Sequence, residues 1–255
     1  MQKISPIKKW LGAGSKILLD TIFPALCPRC NEAVDEPGSL CADCWGQANF
    51  ISPPTCFHCG YPFEYEVADD MLCGNCISNP PPFTRGLSVL HYDDVSRDMI
   101  LAFKHADRTD RVPAFANWMS RTAAEILKDD VLIAPVPLHR KRLLKRRYNQ
   151  SALLAQSIGN KTNRRVAVDL LLRSKDTSSQ GGKNLKARFK NIRGAFSVNP
   201  VWQDTIKGEH ILLIDDVYTT GATVSACASC LLRAGVRQID ILTLCRVVRP
   251  VSMSI

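Results

Sequence analysis

The sequence lacks any long hydrophobic run. Charged residues, glycines or prolines interrupt every apolar stretch of its 255 residues well short of the roughly 18 that a membrane-spanning helix needs. It also lacks the apolar core of an export signal: Lys3, Lys8 and Lys9 have the look of a signal n-region, but Lys16 and Asp20 break up the apolar stretch that would come next. A soluble, cytoplasmic chain is therefore expected. Neither the Walker A pattern nor the dinucleotide glycine fingerprint occurs, which removes the two commonest glycine-rich phosphate sites from consideration. Positive charge is scarce in the first 80 residues, with 5 Lys/Arg against 9 Asp/Glu, although the whole chain carries a formal +9. The remainder thus holds +13, and a polyanionic partner is expected to meet that second part.

With 45% hydrophobic residues, the chain can bury a full-sized core and carry one small extra module. Trp10, Leu11, Leu18, Ile22 and Phe23 fall at helical spacing, which predicts an amphipathic lead-in helix within residues 1–26 that docks on the body. A membrane-surface helix is the alternative reading, but its polar face would be only weakly basic.

Eight of the eleven cysteines lie before residue 77, in four Cys-x-x-Cys pairs: Cys27 and Cys30, Cys41 and Cys44, Cys56 and Cys59, Cys73 and Cys76. Without an export signal ahead of them, reduced thiolates holding metal fit better than disulfides. A Cys-x-x-Cys turn sets two sulfurs on one side of a tight knuckle, and two such knuckles complete a tetrahedron around Zn2+. Four-cysteine sites are closed, so two structural zinc ions are expected, holding together a segment too poor in large apolar residues to fold alone. Sequential and interleaved pairing of the knuckles satisfy the spacing equally, and His58, between two ligands, could replace one of them. Pro80, Pro81 and Pro82 form a stiff connector, so a module over residues 27–80 and a second domain over 81–250 are expected.

From residue 87 onward the pattern alternates between strands and helices. Strands are predicted over Leu87 to Tyr92, Val131 to Val136, Ile211 to Ile214 and Ile239 to Cys245; helices over 95–104, 113–128, 149–159 and 221–234. Buried apolar runs separated by helices make this an α/β chain with a parallel sheet covered on both faces. At the end of the third strand stand Asp215 and Asp216, followed after Val217 and Tyr218 by Thr219, Thr220, Gly221, Ala222 and Thr223. Ligands of open α/β sheets bind beyond the carboxyl ends of the strands. There, a small hydroxyl-rich turn opening a helix favours a phosphate, while the two carboxylates suit sugar hydroxyls or a hydrated Mg2+. The plainer alternative is an ordinary turn in which Asp216 and Thr219 cap the helix. Cys227 and Cys230 share the spacing of the earlier pairs but lie on this helix, where core packing is expected of them.

The stretch from Ile211 to Thr223 closely resembles the motif by which type I phosphoribosyltransferases bind 5-phosphoribosyl 1-pyrophosphate (PRPP). A second stretch, Pro135-Val136-Pro137-Leu138-His139-Arg140-Lys141-Arg142 and then Arg147-Tyr148-Asn149-Gln150, is similar to the competence protein F (ComF) family. Members of that family carry an N-terminal zinc ribbon, here in its double form, ahead of a phosphoribosyltransferase domain. Arg173, Thr177, Gln180, Arg188, Asn191, Gly194, Ala195 and Phe196 fit the same pattern, whereas Lys183 stands where an apolar residue is expected, with Leu185 as its substitute. The resemblance implies that Asp215 and Asp216 hold the ribose hydroxyls and are the candidate catalytic residues. It implies too that Thr219, Thr220, Gly221, Ala222 and Thr223 hold the 5-phosphate, with Val217 among the PRPP-binding residues, and that the loop after Pro135 faces the pyrophosphate together with Mg2+. Arg140 is the chosen pyrophosphate contact, and Lys104, beside His105, occupies another family-like position for which a solvated helix end is the alternative.

Nothing in the sequence marks an acceptor base. The resemblance implies two classes of function: a PRPP-dependent transferase, or a protein that binds PRPP or single-stranded DNA without turnover during DNA uptake in natural transformation, alongside other uptake proteins. Residues 138–195 hold 16 Lys/Arg and 2 Asp/Glu, which suits phosphate-driven, salt-sensitive binding of single strands. A solvated basic face around an anionic-substrate site accounts for the same charge.

Overall fold

Four apolar runs form the parallel sheet that the alternation predicts. A computed structural model describes residues 24–105, 108–175 and 194–248, which fall into two compact units, Met1–Gln47 and Ala48–Ile255. The expected lead-in helix lies outside the described residues apart from its last three positions, as do Thr177, Gln180, Lys183, Leu185, Arg188 and Asn191. Among the described residues no helix is long and apolar enough to cross a membrane.

The described part of the first unit is a cysteine knuckle and one short helix, α1 (Ala42–Gln47). The second unit opens with the other knuckle and α2 (Gly74–Ser78), then runs β1 (Arg85–His91), α3 (Asp94–His105), α4 (Val112–Thr122), β2 (Leu132–Pro135), α5 (Arg140–Arg146) and α6 (Gln150–Thr162). A two-stranded antiparallel ribbon comes next, β3 (Leu171–Arg173) with β4 (Phe196–Val198), and then β5 (His210–Tyr218), α7 (Ala222–Arg233) and β6 (Gln238–Arg246). The sequence segment expected as a 27–80 module thus contributes to both units.

The main sheet has the order β1-β6-β5-β2, all parallel. Its central strand β5 buries Ile211, Leu212, Leu213 and Ile214 completely, on both faces, and each such side chain contributes roughly 1.5–3 kcal/mol. Ile211 and Leu213 share a core with Leu132, Ala134, Ile239 and Ile241, and with Val224, Cys227, Ala228 and Leu231 of α7. Helices α4 and α6 pack on one another and on the sheet. Both faces are covered, as an all-parallel sheet requires.

Three departures from the sequence reading have physical causes. The helix expected over 113–128 ends at Thr122. Ala123 leaves the helical region (φ −98°, ψ 19°), and a 3-10 turn, Ile126–Lys128, then buries Ile126 and Leu127. Strand β5 does not stop at Ile214. Its apolar character stops there, but its pairing with β6 continues to Tyr218 opposite Arg246. Helix α5 escaped notice because none of its residues is buried, so it carries no apolar period.

Candidate functional site

Beyond Ile214, β5 loses its neighbour on one side. β2 ends at Pro135, paired with Ile214, and Val136 N–H makes one last bond to the Ile214 carbonyl (2.9 Å). Asp215 to Tyr218 therefore project past β2 while still held by β6 on the other side. Asp215 and Asp216 are mostly enclosed but keep some exposure, the Asp216 side chain at 14%, so the pair borders solvent at the edge of the sheet.

The Asp215 carboxylate accepts a bond from Ser151 Oγ (3.1 Å), at the start of α6, and from the Asp216 backbone N–H (2.9 Å). Burial first, and the neighbouring Asp216 charge second, push its carboxyl up to about 7, against the pull of that N–H, Lys104 and Ser151. Lys104, from the last turn of α3, reaches Asp216 with an Nζ–Oδ2 distance of 2.8 Å. Both partners are under 20% exposed, so a solvated helix end does not describe Lys104.

The end of α3 is fixed by the Arg147 to Gln150 stretch. Tyr148 Oη donates to the Phe103 carbonyl (2.7 Å) and Gln150 Nε2 approaches the same oxygen (3.5 Å). Asn149 caps α6 by accepting from Ser151 N–H (3.1 Å), and its own amide donates to the Val136 carbonyl (3.0 Å). One tetrapeptide thereby ties together α3, the loop after β2 and the helix carrying Ser151. The sequence reading missed Ser151, whose hydroxyl at a helix start gives no signal of its target.

The turn from Thr219 to Thr223 opens α7. Gly221 is its N-cap in the left-handed region (φ 73°), and a Cβ there would collide with the Tyr218 hydroxyl, so glycine is required. No side chain caps the helix from Gly221. Thr220 Oγ1 instead accepts from Ala222 N–H (3.4 Å). The plainer reading, with Asp216 and Thr219 as caps, does not hold: Asp216 is taken by Lys104, and Thr219 is exposed. Val217 lies half-buried in the strand opposite Cys245, and Thr223 sits half-buried in the first helical turn, where backbone donors are unsatisfied by the helix itself.

Arg140 is exposed on the first turn of α5. Among the described residues, no hydrogen bond or ion pair joins it to Asp215 or Asp216. Lys104 is thus the one predicted cation brought directly to the acidic pair.

The cysteines gather as sequential sets. The sulfurs of Cys27, Cys30, Cys41 and Cys44 lie within 4.8 Å of one another, and so do those of Cys56, Cys59, Cys73 and Cys76. The Cys30–Cys41 and Cys59–Cys73 sulfur separations are 3.6 and 3.7 Å. The edge of a tetrahedron with metal–sulfur bonds of about 2.3 Å is about 3.8 Å, so both sets fit zinc. His58 belongs to neither set; its Nδ1 lies 3.3 Å from the Phe83 carbonyl. Cys227 and Cys230 are buried in the core beneath α7.

A family model for double zinc ribbon domains matches residues 18–77. Competence protein F of Haemophilus influenzae is 30% identical over 220 residues, covering 81% of this chain and 90% of that one. DNA utilization protein YhgH of Escherichia coli O6:H1 is 29% identical over 232 residues, covering 88% and 97%, and competence protein ComFC of Bacillus subtilis is 26% identical over 203 residues, covering 77% and 79%. Among solved structures, the allosteric regulatory enzyme of purine biosynthesis superposes on 56% of this chain and 29% of that one, with a TM-score of 0.38 at 16% identity.

Proposed function

The chain belongs to the competence protein F family, and from that premise we propose that it binds PRPP with Mg2+ at the carboxyl end of β5 and serves in the uptake of DNA. The observation that carries this reading is the mostly enclosed Asp215–Asp216 pair projecting beyond β2, directly before a glycine-hinged turn that opens a helix. Carboxylates accept hydrogen bonds, so their ligand must donate them, as ribose hydroxyls do. The turn offers the opposite chemistry. Backbone donors and hydroxyls from Thr219, Thr220, Gly221, Ala222 and Thr223, with the positive end of the α7 dipole, favour the 5-phosphate.

Lys104 would remain as a cation near the ribose and the departing charge, on a helix end tied down by Tyr148 and Gln150 at the Phe103 carbonyl. Magnesium would neutralise the pyrophosphate. Arg140, with Lys141 and Lys145 on exposed α5, would supply further positive charge to that end. Zinc at the two cysteine sets would be structural, since four thiolates leave no open coordination position.

Calorimetric titration of PRPP with Mg2+ tests the ligand. Asp215→Ala with Asp216→Ala should remove measurable binding, and unchanged affinity would refute the assignment.

The exposed basic helix α5, where Leu144 is 82% exposed among Lys and Arg, favours a second contact, with single-stranded DNA. Fluorescence anisotropy of a single-stranded oligonucleotide should weaken steeply as salt rises, and substituting Arg140, Lys141 and Lys145 together should flatten that slope by about three charges. A salt-independent signal would remove DNA from the reading.

A further inference from the structure

Arg246, the last residue of β6, is only 4% exposed, and its surroundings join two sites that sequence treats as separate. Its guanidinium donates from Nη1 to the Cys59 carbonyl, and Nη2 lies 3.9 Å from the Cys59 sulfur. The same group stacks between two rings, 5.4 Å from the centre of Tyr61 and 4.7 Å from that of Tyr218. Tyr61 comes just after the second cysteine knuckle, whereas Tyr218 is the last residue of β5 and pairs with Arg246 in the sheet. The Tyr218 hydroxyl occupies the space beside Gly221 that a side chain would otherwise take.

A continuous path of contacts therefore runs from the Cys59 sulfur through Arg246 and Tyr218 to the turn that opens α7. A buried cation needs a counter-charge. Nearest to Arg246 stands the Cys56, Cys59, Cys73 and Cys76 set, whose sulfurs would carry net negative charge when a divalent metal holds all four as thiolates. With that charge in place, Arg246 is pinned against Cys59, and the Tyr218 ring is pinned beneath Gly221.

We propose that Arg246 is a positioning residue coupling metal occupancy of the second cysteine set to the conformation of the Thr219–Thr223 turn, so that metal and the sugar phosphate strengthen each other's binding. This coupling rests on the PRPP reading of the turn. Coupling of this kind is reciprocal: whatever factor metal adds to PRPP affinity, PRPP must add to metal retention.

Reciprocity allows a test on the unmodified protein. Equilibrium competition of the zinc-loaded full chain against a metallochromic chelator should resolve two metal affinities, one for each cysteine set. Saturating PRPP with Mg2+ should raise one of these affinities about tenfold and leave the other unchanged. Arg246→Met should abolish that gain and weaken PRPP about tenfold in calorimetry, while Arg246→Lys, which keeps the charge but loses the planar guanidinium, should fall between. Should Arg246→Met fail to fold, Tyr218→Leu removes the next link in the path and should give the same two losses. If PRPP binds the wild type but both metal affinities are indifferent to it, the coupling is overturned and the ligand site stands. If PRPP does not bind the wild type, the site and the coupling fall together.

Discussion

Residue for residue, the knuckle from Cys27 to Glu32 repeats in that from Cys56 to Tyr61. Cys27 N–H bonds the Glu32 carbonyl at 2.8 Å and Asn31 N–H bonds the Cys27 carbonyl at 3.0 Å; the counterparts are Cys56 to Tyr61 at 2.7 Å and Gly60 to Cys56 at 2.8 Å. Asn31 and Gly60 share the left-handed conformation, with φ of 67° and 69°, and each set has a guanidinium 3.9 Å from a sulfur, Arg29 at Cys44 and Arg246 at Cys59. The surroundings differ. Cys30 of the first set is exposed, whereas its counterpart Cys59 is 4% exposed; the other three positions match, with Cys41 and Cys73 both half-buried. The segment leading into the second set bonds the sheet, Ile51 N–H to the Val89 carbonyl and His91 N–H to the Asn49 carbonyl, and His58 within the knuckle lies against Phe83 just before β1. One local design thus serves two purposes: the first set closes a small unit on itself, and the second is part of the structure that carries the acidic pair.

That contrast can be broken most forcefully at the ligands. Cys59→Ser should lower the stability of the Ala48–Ile255 unit by on the order of 5 kcal/mol, because metal binding at such sites is folding free energy. Cys30→Ser should leave the main urea transition within about 0.5 kcal/mol. Equal losses would mean that the two sets do the same job.

The shared left-handed position gives a finer comparison. A Cβ at Gly60 would overlap the Gly86 carbonyl, so Gly60→Ala should cost roughly 3 kcal/mol, the sum of backbone strain and a collision with rigid main chain. Asn31→Ala keeps the strained backbone position without that collision and should cost less, roughly 1 kcal/mol. Thermal unfolding of both variants, compared with the wild type, reads the difference directly.

Enclosure should leave a smaller trace at Asp215. Its folded carboxyl is pushed up to about 7 from an ordinary value of 3.8, so between these values the folded chain binds more protons than the unfolded one. Stability contributed at this position is therefore lost as pH rises from about 4 through about 7. Asp215→Asn should gain about 1–2 kcal/mol over wild type at pH 8 and nothing at pH 4, measured by urea midpoints. An equal gain at both pH values would show that the carboxyl does not titrate in this window.

The regular elements were legible in the sequence because their apolar residues repeat at strand or helix spacing. The Cys-x-x-Cys pairs were legible because metal geometry demands that spacing. The turn after β5 stood out because two carboxylates, a glycine and three threonine hydroxyls follow a buried strand there within nine residues. The features that escaped depend on contacts distant in sequence. Helix α5 buries no residue, Ser151 finds Asp215 across 64 positions, and Arg246 finds Cys59 across 187. No local pattern could announce such partners. For Lys104 the sequence offered two readings of equal weight, and only the closeness of Asp216 separates them.

The most direct measurement is a crystal structure of the full chain with PRPP and Mg2+. The 5-phosphate should lie about 3 Å from backbone nitrogens between Thr219 and Thr223, with the ribose hydroxyls on Asp215 and Asp216. A sugar phosphate seated elsewhere, with those carboxylates untouched, would contradict it.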